Sequence, residues 1–258
     1  MEKHPLSEGM RMRVPDDVLN RLRQFDTPTI CNVLELFEYR PRTVGYMDGR
    51  IRACFPQLPP MVGFATTATF RAAAPPRHGD TYMGLSEQVE RIAAWDGPKV
   101  VVFQDLDDPP VAATFGEVMC ATYKAFGCVG IITSGAGRDL DQIEKLHFPC
   151  FTSGTICSHG YTQIVALDCP VRVGGVWVHP GDLLHGDRNG VTTIPVELAG
   201  WVADAGPEFL AAEAVILEYL QAGHVTPAGF AQARDECKRR IHELGKKLRE
   251  HTARLQIL

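Results

Sequence analysis

Two short runs of β-branched residues constrain this chain most: KVVVFQD at 99–105 and CVGIIT at 128–133. Each is apolar almost throughout and too short for a core helix, so each reads as a strand buried on both faces. Between them, residues 116–127 carry helical spacing and end at Gly127, a suitable helix stop. The second run leads into Ser134-Gly135-Ala136-Gly137-Arg138-Asp139 and a short helical segment, DLDQIEKL. This strand–helix–strand–turn–helix rhythm predicts an α/β layer.

The flanking segments extend the pattern. Residues 14–39 read as helical, with Val18, Leu19, Leu22 and Phe25 at helical intervals. A second helix restarts at Asp26-Thr27-Pro28, with Thr27 as expected N-cap and Pro28 as first helical residue. Residues 40–60 are rich in Pro and Gly and predict a long irregular connection, and 61–72 predict a strand. A helix is expected over 80–95, broken by Gly97-Pro98. From 148 to 195, short strands separated by Gly and Pro turns predict an all-β stretch packed onto the α/β part. Helices are expected over 197–222 and about 226–254, with Ile241, Leu244, Leu248 and Leu255 on one face of the last.

With 258 residues, 45% apolar and 22% charged, the chain suits a soluble globular domain. Its net charge of −5 argues against a dedicated nucleic-acid binder, so nucleic acid is an unlikely partner. The charge is unevenly spread: residues 234–254 hold eight Lys or Arg against four Asp or Glu, leaving −9 in the rest. No apolar stretch is long enough to cross a membrane, and the first 17 residues lack an apolar signal core. Eight cysteines are scattered without a C-x-x-C pair, which predicts reduced, mostly buried thiols in a cytoplasmic protein.

The segment best suited to chemistry is Gly135-Ala136-Gly137-Arg138-Asp139, directly after a buried strand and before a helix. Glycines permit sharp turns and close ligand approach. Helix-start N–H groups favour an anion. Arg138 can grip a carboxylate bidentately, and Asp139 can accept protons or bind a hard metal ion. Glu117 follows Phe115-Gly116 at a second helix start, where an acidic residue is commonly a dipole partner. His185, in PGDLLHGD at 180–187, reads as a core or surface histidine rather than a ligand.

Taken in order, T-P-T-I-x-N-x-L at 27–34, G-E-V-M at 116–119, G-A-G-R-D at 135–139 and P-G-D-L-L-H-G-D-x-N-G-V at 180–191 resemble the RraA-like family. That family includes the 4-hydroxy-4-methyl-2-oxoglutarate/4-carboxy-4-hydroxy-2-oxoadipate aldolases. The family's usual turn reads G-A-V-R-D, and Gly137 stands here in place of the valine. The resemblance implies a compact α/β/β swivelling-domain fold over residues 1–222, with 223–258 as a C-terminal helical extension. It also implies a homotrimer or homohexamer with active sites between protomers.

The chemistry implied is that of a class II aldolase, in which a divalent ion, Mg²⁺ or Mn²⁺, replaces a Schiff-base lysine. Such an enzyme cleaves a 4-hydroxy-2-oxo acid to pyruvate and a second carbonyl compound, with oxaloacetate decarboxylation as a side activity. Asp139 corresponds to the metal ligand, and Arg138 to the residue that contacts the pyruvyl group. Glu117 corresponds to an acidic residue that holds water near the metal. Backbone amides around Gly116, Val118 and Met119 would bind the pyruvate carboxylate. Glu213 is the candidate carboxylate supplied by a neighbouring protomer. Some relatives act instead as non-catalytic regulators that bind ribonuclease E. Retention of Glu117, Arg138 and Asp139 favours the enzyme. The basic tail is expected to pack on a neighbouring subunit.

Overall fold

The computed structural model describes residues 14–82 and 84–255. The expectation for the extreme N-terminus therefore lies mostly outside the described residues. In chain order the elements begin with α1 (Asp16–Leu22), α2 (Thr27–Leu36), β1 (Arg52–Ala53), β2 (Met61–Arg71) and α3 (Leu85–Ala93). Next come β3 (Lys99–Asp105), β4 (Ala113–Phe115), α4 (Glu117–Ala125), β5 (Cys128–Thr133), β6 (Ala136–Gly137) and α5 (Leu140–Lys145). The chain continues with β7 (Cys150–Thr152), β8 (Gly154–Thr155), β9 (Gln163–Leu167), β10 (Val171–Val173) and β11 (Val176–Val178). It closes with β12 (Leu183–Asp187), β13 (Gly190–Ile194), α6 (Ala199–Gln221) and α7 (Pro227–Leu255).

The main sheet runs β1-β7-β5-β3-β2-β12-β13, and β9 also pairs with the long strand β2. β2, β3, β5 and β7 are mutually parallel, and β1, β9, β12 and β13 join antiparallel. Side chains alternate across β3 as the strand period requires. Val101 and Phe103 face the core beneath α3, α4 and α5, and Val100 and Val102 face the β10–β11 hairpin. A third core, around Leu22, Val33, Val202 and Phe209, binds α1, α2, α6 and α7 to the antiparallel end of the sheet. Helices, main sheet and hairpin are the expected α/β/β layers.

Two expectations change in detail. The β-rich stretch from 148 to 195 is not one layer of its own, because β7, β9, β12 and β13 join the main sheet and β10–β11 stand apart. Their pairing with β2 and β5 is long-range, which local periodicity does not encode. The cap of α2 is Asp26 rather than Thr27: the Asp26 carboxylate accepts from Thr29 N at 2.8 Å. Thr27 is occupied elsewhere, its N–H donating to Asp187 and its hydroxyl bonded to His185 Nδ1. His185 is fully buried with Nε2 against Leu22 O, and burial pushes its pKa down. It is a core histidine, as expected.

The tail helix α7 is seated on its own chain's α6 and α2, burying Leu244 and Leu248 in the helical core. The apolar face expected to meet a neighbouring subunit is thus covered within the chain. Ion pairs compensate much of its charge: Arg239 and Arg240 meet Glu236, Lys247 meets Glu208 and Arg249 meets Glu38. No helix among the described residues is long and apolar enough to cross a membrane.

Candidate active site

The parallel strands β3 and β5 release the chain at their carboxyl ends, the usual place for ligands in an α/β sheet. There β4, β6 and β8 form a small parallel sheet. The G-A-G-R-D turn is its middle strand. Arg138 N donates to Phe115 O, Ser153 N to Gly135 O and Ile156 N to Gly137 O. Backbone pairing on both sides fixes where the Arg138 and Asp139 side chains start.

Gly137 needs its missing side chain. A Cβ there would lie 2.5 Å from the Phe115 ring, which is fully buried. The phenyl ring occupies the space that the family's valine would fill. Gly137→Val is expected to destabilise the fold by about 1–3 kcal/mol through overpacking. Thermal melts of Gly137→Val and of Gly137→Val/Phe115→Ala test this. Restored stability in the double variant is expected, and an unperturbed single variant would refute the account.

Asp139 has a left-handed backbone at the mouth of α5. It precedes α5 with φ +56°, in the left-handed region, and its carboxylate makes no capping bond to that helix. Aspartate is one of the few non-glycine residues that enters this region readily, because its short polar side chain can bond locally. The carboxylate turns instead to α4: Oδ2 accepts from Glu117 N at 3.1 Å and lies 3.7 Å from Arg138 Nε. Gly116 makes this approach possible, since a Cβ there would sit 2.5 Å from Asp139 Oδ2. The second glycine-led motif and the G-A-G-R-D turn are thus brought into contact.

A cavity of about 320 Å³ opens at this junction. Gly116, Val118, Met119, Arg138 and Asp139 line it, together with Tyr82 and His159 on the far wall. The first-turn amides of α4 have no intrahelical acceptors, so this end of the helix favours an anion. The cavity therefore joins anion-binding amides, one guanidinium and one carboxylate. The guanidinium and amides can hold a carboxylate or enolate. Asp139 offers a hard oxygen donor for a divalent cation that keeps much of its water. Among the described residues no three His, Cys, Asp or Glu side chains converge on a metal-binding cluster.

Of the sequence-derived set, Arg138, Asp139, Gly116, Val118 and Met119 come together. Glu117 contributes its backbone N–H, and its side chain is not among the groups lining the cavity. Glu213 lies on α6, and the cavity of its own chain does not include it. Burial and the negative charge of Asp26 push its pKa up. Arg71, Arg77 and His78 line a separate cavity of about 540 Å³.

Two residues escape the sequence reading. Asp105 ends β3 behind the turn, where a side chain on Gly135 would run into its Oδ2 and the Thr114 hydroxyl. That Oδ2 is buried without a hydrogen-bond partner, and burial pushes the carboxyl up to about 6. His159 reaches the cavity from the loop after β8. A lone histidine in a loop carries no periodic signal.

Residues 27–193 match the family described as "RraA-like: Aldolase/RraA". A Halalkalibacterium halodurans protein named "Putative 4-hydroxy-4-methyl-2-oxoglutarate aldolase" is 36% identical over 99 residues, covering 38% of this chain and 47% of that protein. The match spans about half the length of that relative. Among solved structures, an uncharacterized protein from Pseudomonas syringae pv. tomato superposes with a TM-score of 0.68 at 22% identity, covering 88% of this chain and 99% of that one. Streptomyces coelicolor RraAS2, described as an unusual member of the RNase ES inhibitor RraA family, gives 0.62 at 24% identity, covering 82% and 98%. These two structures share the fold. With the matched segment containing both halves of the cavity, the chain belongs to the RraA-like family.

Proposed function

We propose that the protein is a divalent-metal-dependent class II aldolase that cleaves a 4-hydroxy-2-oxo acid to pyruvate and a second carbonyl compound. One observation carries the reading: Asp139 turns its carboxylate off its own helix to meet Arg138 and the α4 N-terminus at an open cavity. A purely protein-binding regulator needs no such cavity.

The α4 amides and Arg138 orient the substrate carboxylate and 2-oxo group. As the C3–C4 bond breaks, negative charge collects on the 2-oxo oxygen. Arg138 faces that charge with donors already in place, usually the largest catalytic contribution in such sites. A Mg²⁺ or Mn²⁺ held at Asp139 would supply Lewis-acid charge neutralisation. Loss of CO₂ from oxaloacetate produces the same pyruvate enolate, so decarboxylation belongs to the same proposal. The test is a lactate-dehydrogenase-coupled screen of 4-hydroxy-2-oxo acids and oxaloacetate with Mg²⁺, Mn²⁺ and chelator. Absence of pyruvate from every substrate would refute the reading.

Glu213 belongs to this proposal as a carboxylate reaching the cavity of a neighbouring protomer in a trimer or hexamer. Mixing inactive Arg138→Ala and Glu213→Gln proteins under subunit exchange should regenerate activity. Mixtures that exchange subunits and stay inactive would remove Glu213 from the site.

A further inference from the structure

We propose that His159 is the acid–base residue of this cavity; the inference rests on the aldolase reading above. Cleavage requires a base for the C4 hydroxyl proton and an acid for C3 of the enolate. Within one chain, four ionisable side chains line the cavity among the described residues, Tyr82, Arg138, Asp139 and His159, and Glu213 would join them from a neighbouring protomer. Arg138 stays protonated at any physiological pH. Asp139 is already engaged, accepting the Glu117 N–H and lying beside Arg138. Of the two that remain within the chain, imidazole is the side chain most often used as a positioned general acid and base.

One ring nitrogen is fixed. His159 Nδ1 lies 2.8 Å from Gly160 O, an acceptor only, so Nδ1 carries a hydrogen and donates. Nε2 is then the nitrogen whose lone pair takes up and returns a proton. The Tyr82 ring lies against the imidazole at 5.6 Å between centroids, and Tyr82 itself holds φ +72°. A left-handed conformation in an aromatic residue is an outlier that only surrounding structure maintains. Tyr82 N donates to Thr162 O, which ties the two loops together.

The His159 loop is also held from below. Ala113 N donates to Ser158 O at 2.7 Å, Tyr161 N to Ala72 O at 3.0 Å and Thr162 Oγ1 to His159 O at 2.8 Å. The first bond runs directly from β4, whose other end carries Phe115 and Gly116. Small-sheet and loop geometry thus fix His159 and Arg138 on one cavity, and proton transfer requires such fixed placement.

The step balances within the substrate. Nε2 takes the C4 hydroxyl proton, and the O–H electron pair becomes the second C–O bond of the departing aldehyde or ketone. The C3–C4 pair stays on C3 as the pyruvate enolate. Imidazolium then returns the proton to C3, giving pyruvate and neutral histidine with no co-reactant.

His159→Gln keeps a planar polar group without a titrating nitrogen. We expect it to lower pyruvate release about 100–10,000-fold, the ordinary range for a positioned acid–base group. It should also abolish exchange of pyruvate methyl protons with D₂O, followed by NMR. Oxalate affinity, measured by calorimetry with Mg²⁺ present, should change less than about threefold, because Arg138 and the α4 amides remain. A His159→Gln protein that retains both exchange and cleavage overturns this inference and leaves the aldolase reading intact. Lost oxalate binding with equal loss of activity would make His159 a structural residue and overturn it too. Wild-type protein that neither exchanges nor cleaves refutes the aldolase reading itself.

Discussion

Arg138→Ala is expected to lower pyruvate release by about 100–1,000-fold, the effect typical of removing one preorganised donor from a developing oxyanion. Among the described residues that line the cavity, Arg138 is the single Arg or Lys, so no neighbour replaces its charge. Its contribution to the fold runs through its backbone N–H to Phe115 O, which the substitution preserves. Thermal stability should therefore stay within about 1 kcal/mol of wild type, the range of changes away from core and caps. Arg138→Lys separates charge from shape: an ammonium keeps the charge and loses the planar two-pronged donor. We expect it to recover a minor part of the loss. Full activity in Arg138→Ala would remove the residue from the mechanism.

Asp139→Asn carries the second large effect. Asparagine accepts the left-handed conformation that this position requires, so the turn should persist. The side-chain oxygen can still accept from Glu117 N, but the negative charge is gone. Residues merely behind a metal ligand cost about 10–100-fold in metal affinity or activity, so loss of the ligand's charge should exceed about 100-fold. Titration of Mn²⁺ by electron paramagnetic resonance should show the matching loss of binding. Unchanged Mn²⁺ affinity in a folded Asp139→Asn protein would place the ion elsewhere. Asp139→Ala removes in addition the acceptor for Glu117 N and should also loosen the junction of the turn with α4.

Much of this site is local in origin and therefore legible in the sequence. Val100–Phe103 and Ile131–Ile132 name two buried strands because every face of them is apolar. The Gly-led turns that follow place Gly116 and Arg138-Asp139 at helix starts, and those two starts meet. What sequence spacing does not convey is pairing over distance. β6 is only two residues long, and it exists because β4 and β8 flank it. That pairing links the His159 loop to the turn, although His159 lies 20 residues beyond Asp139. Gly137 looks like a loosening of the family turn until the Phe115 ring is seen in the vacated space. Asp26 displaces Thr27 as the α2 cap for a similar reason, because Asp187 and His185 recruit Thr27 from far along the chain.

The outward-turned Asp139 carboxylate, the Arg138 guanidinium and the α4 amides together carry one proposal: this cavity supports divalent-dependent cleavage to pyruvate. The direct measurement is coupled pyruvate release from a 4-hydroxy-2-oxo acid by wild-type protein, first stripped with chelator and then resupplied with Mg²⁺ or Mn²⁺, beside Arg138→Ala under the same conditions. The account predicts release that vanishes on chelation, returns with the ion and remains at least about 100-fold lower in the variant. Release indifferent to chelation, or equal in the two proteins, would contradict it.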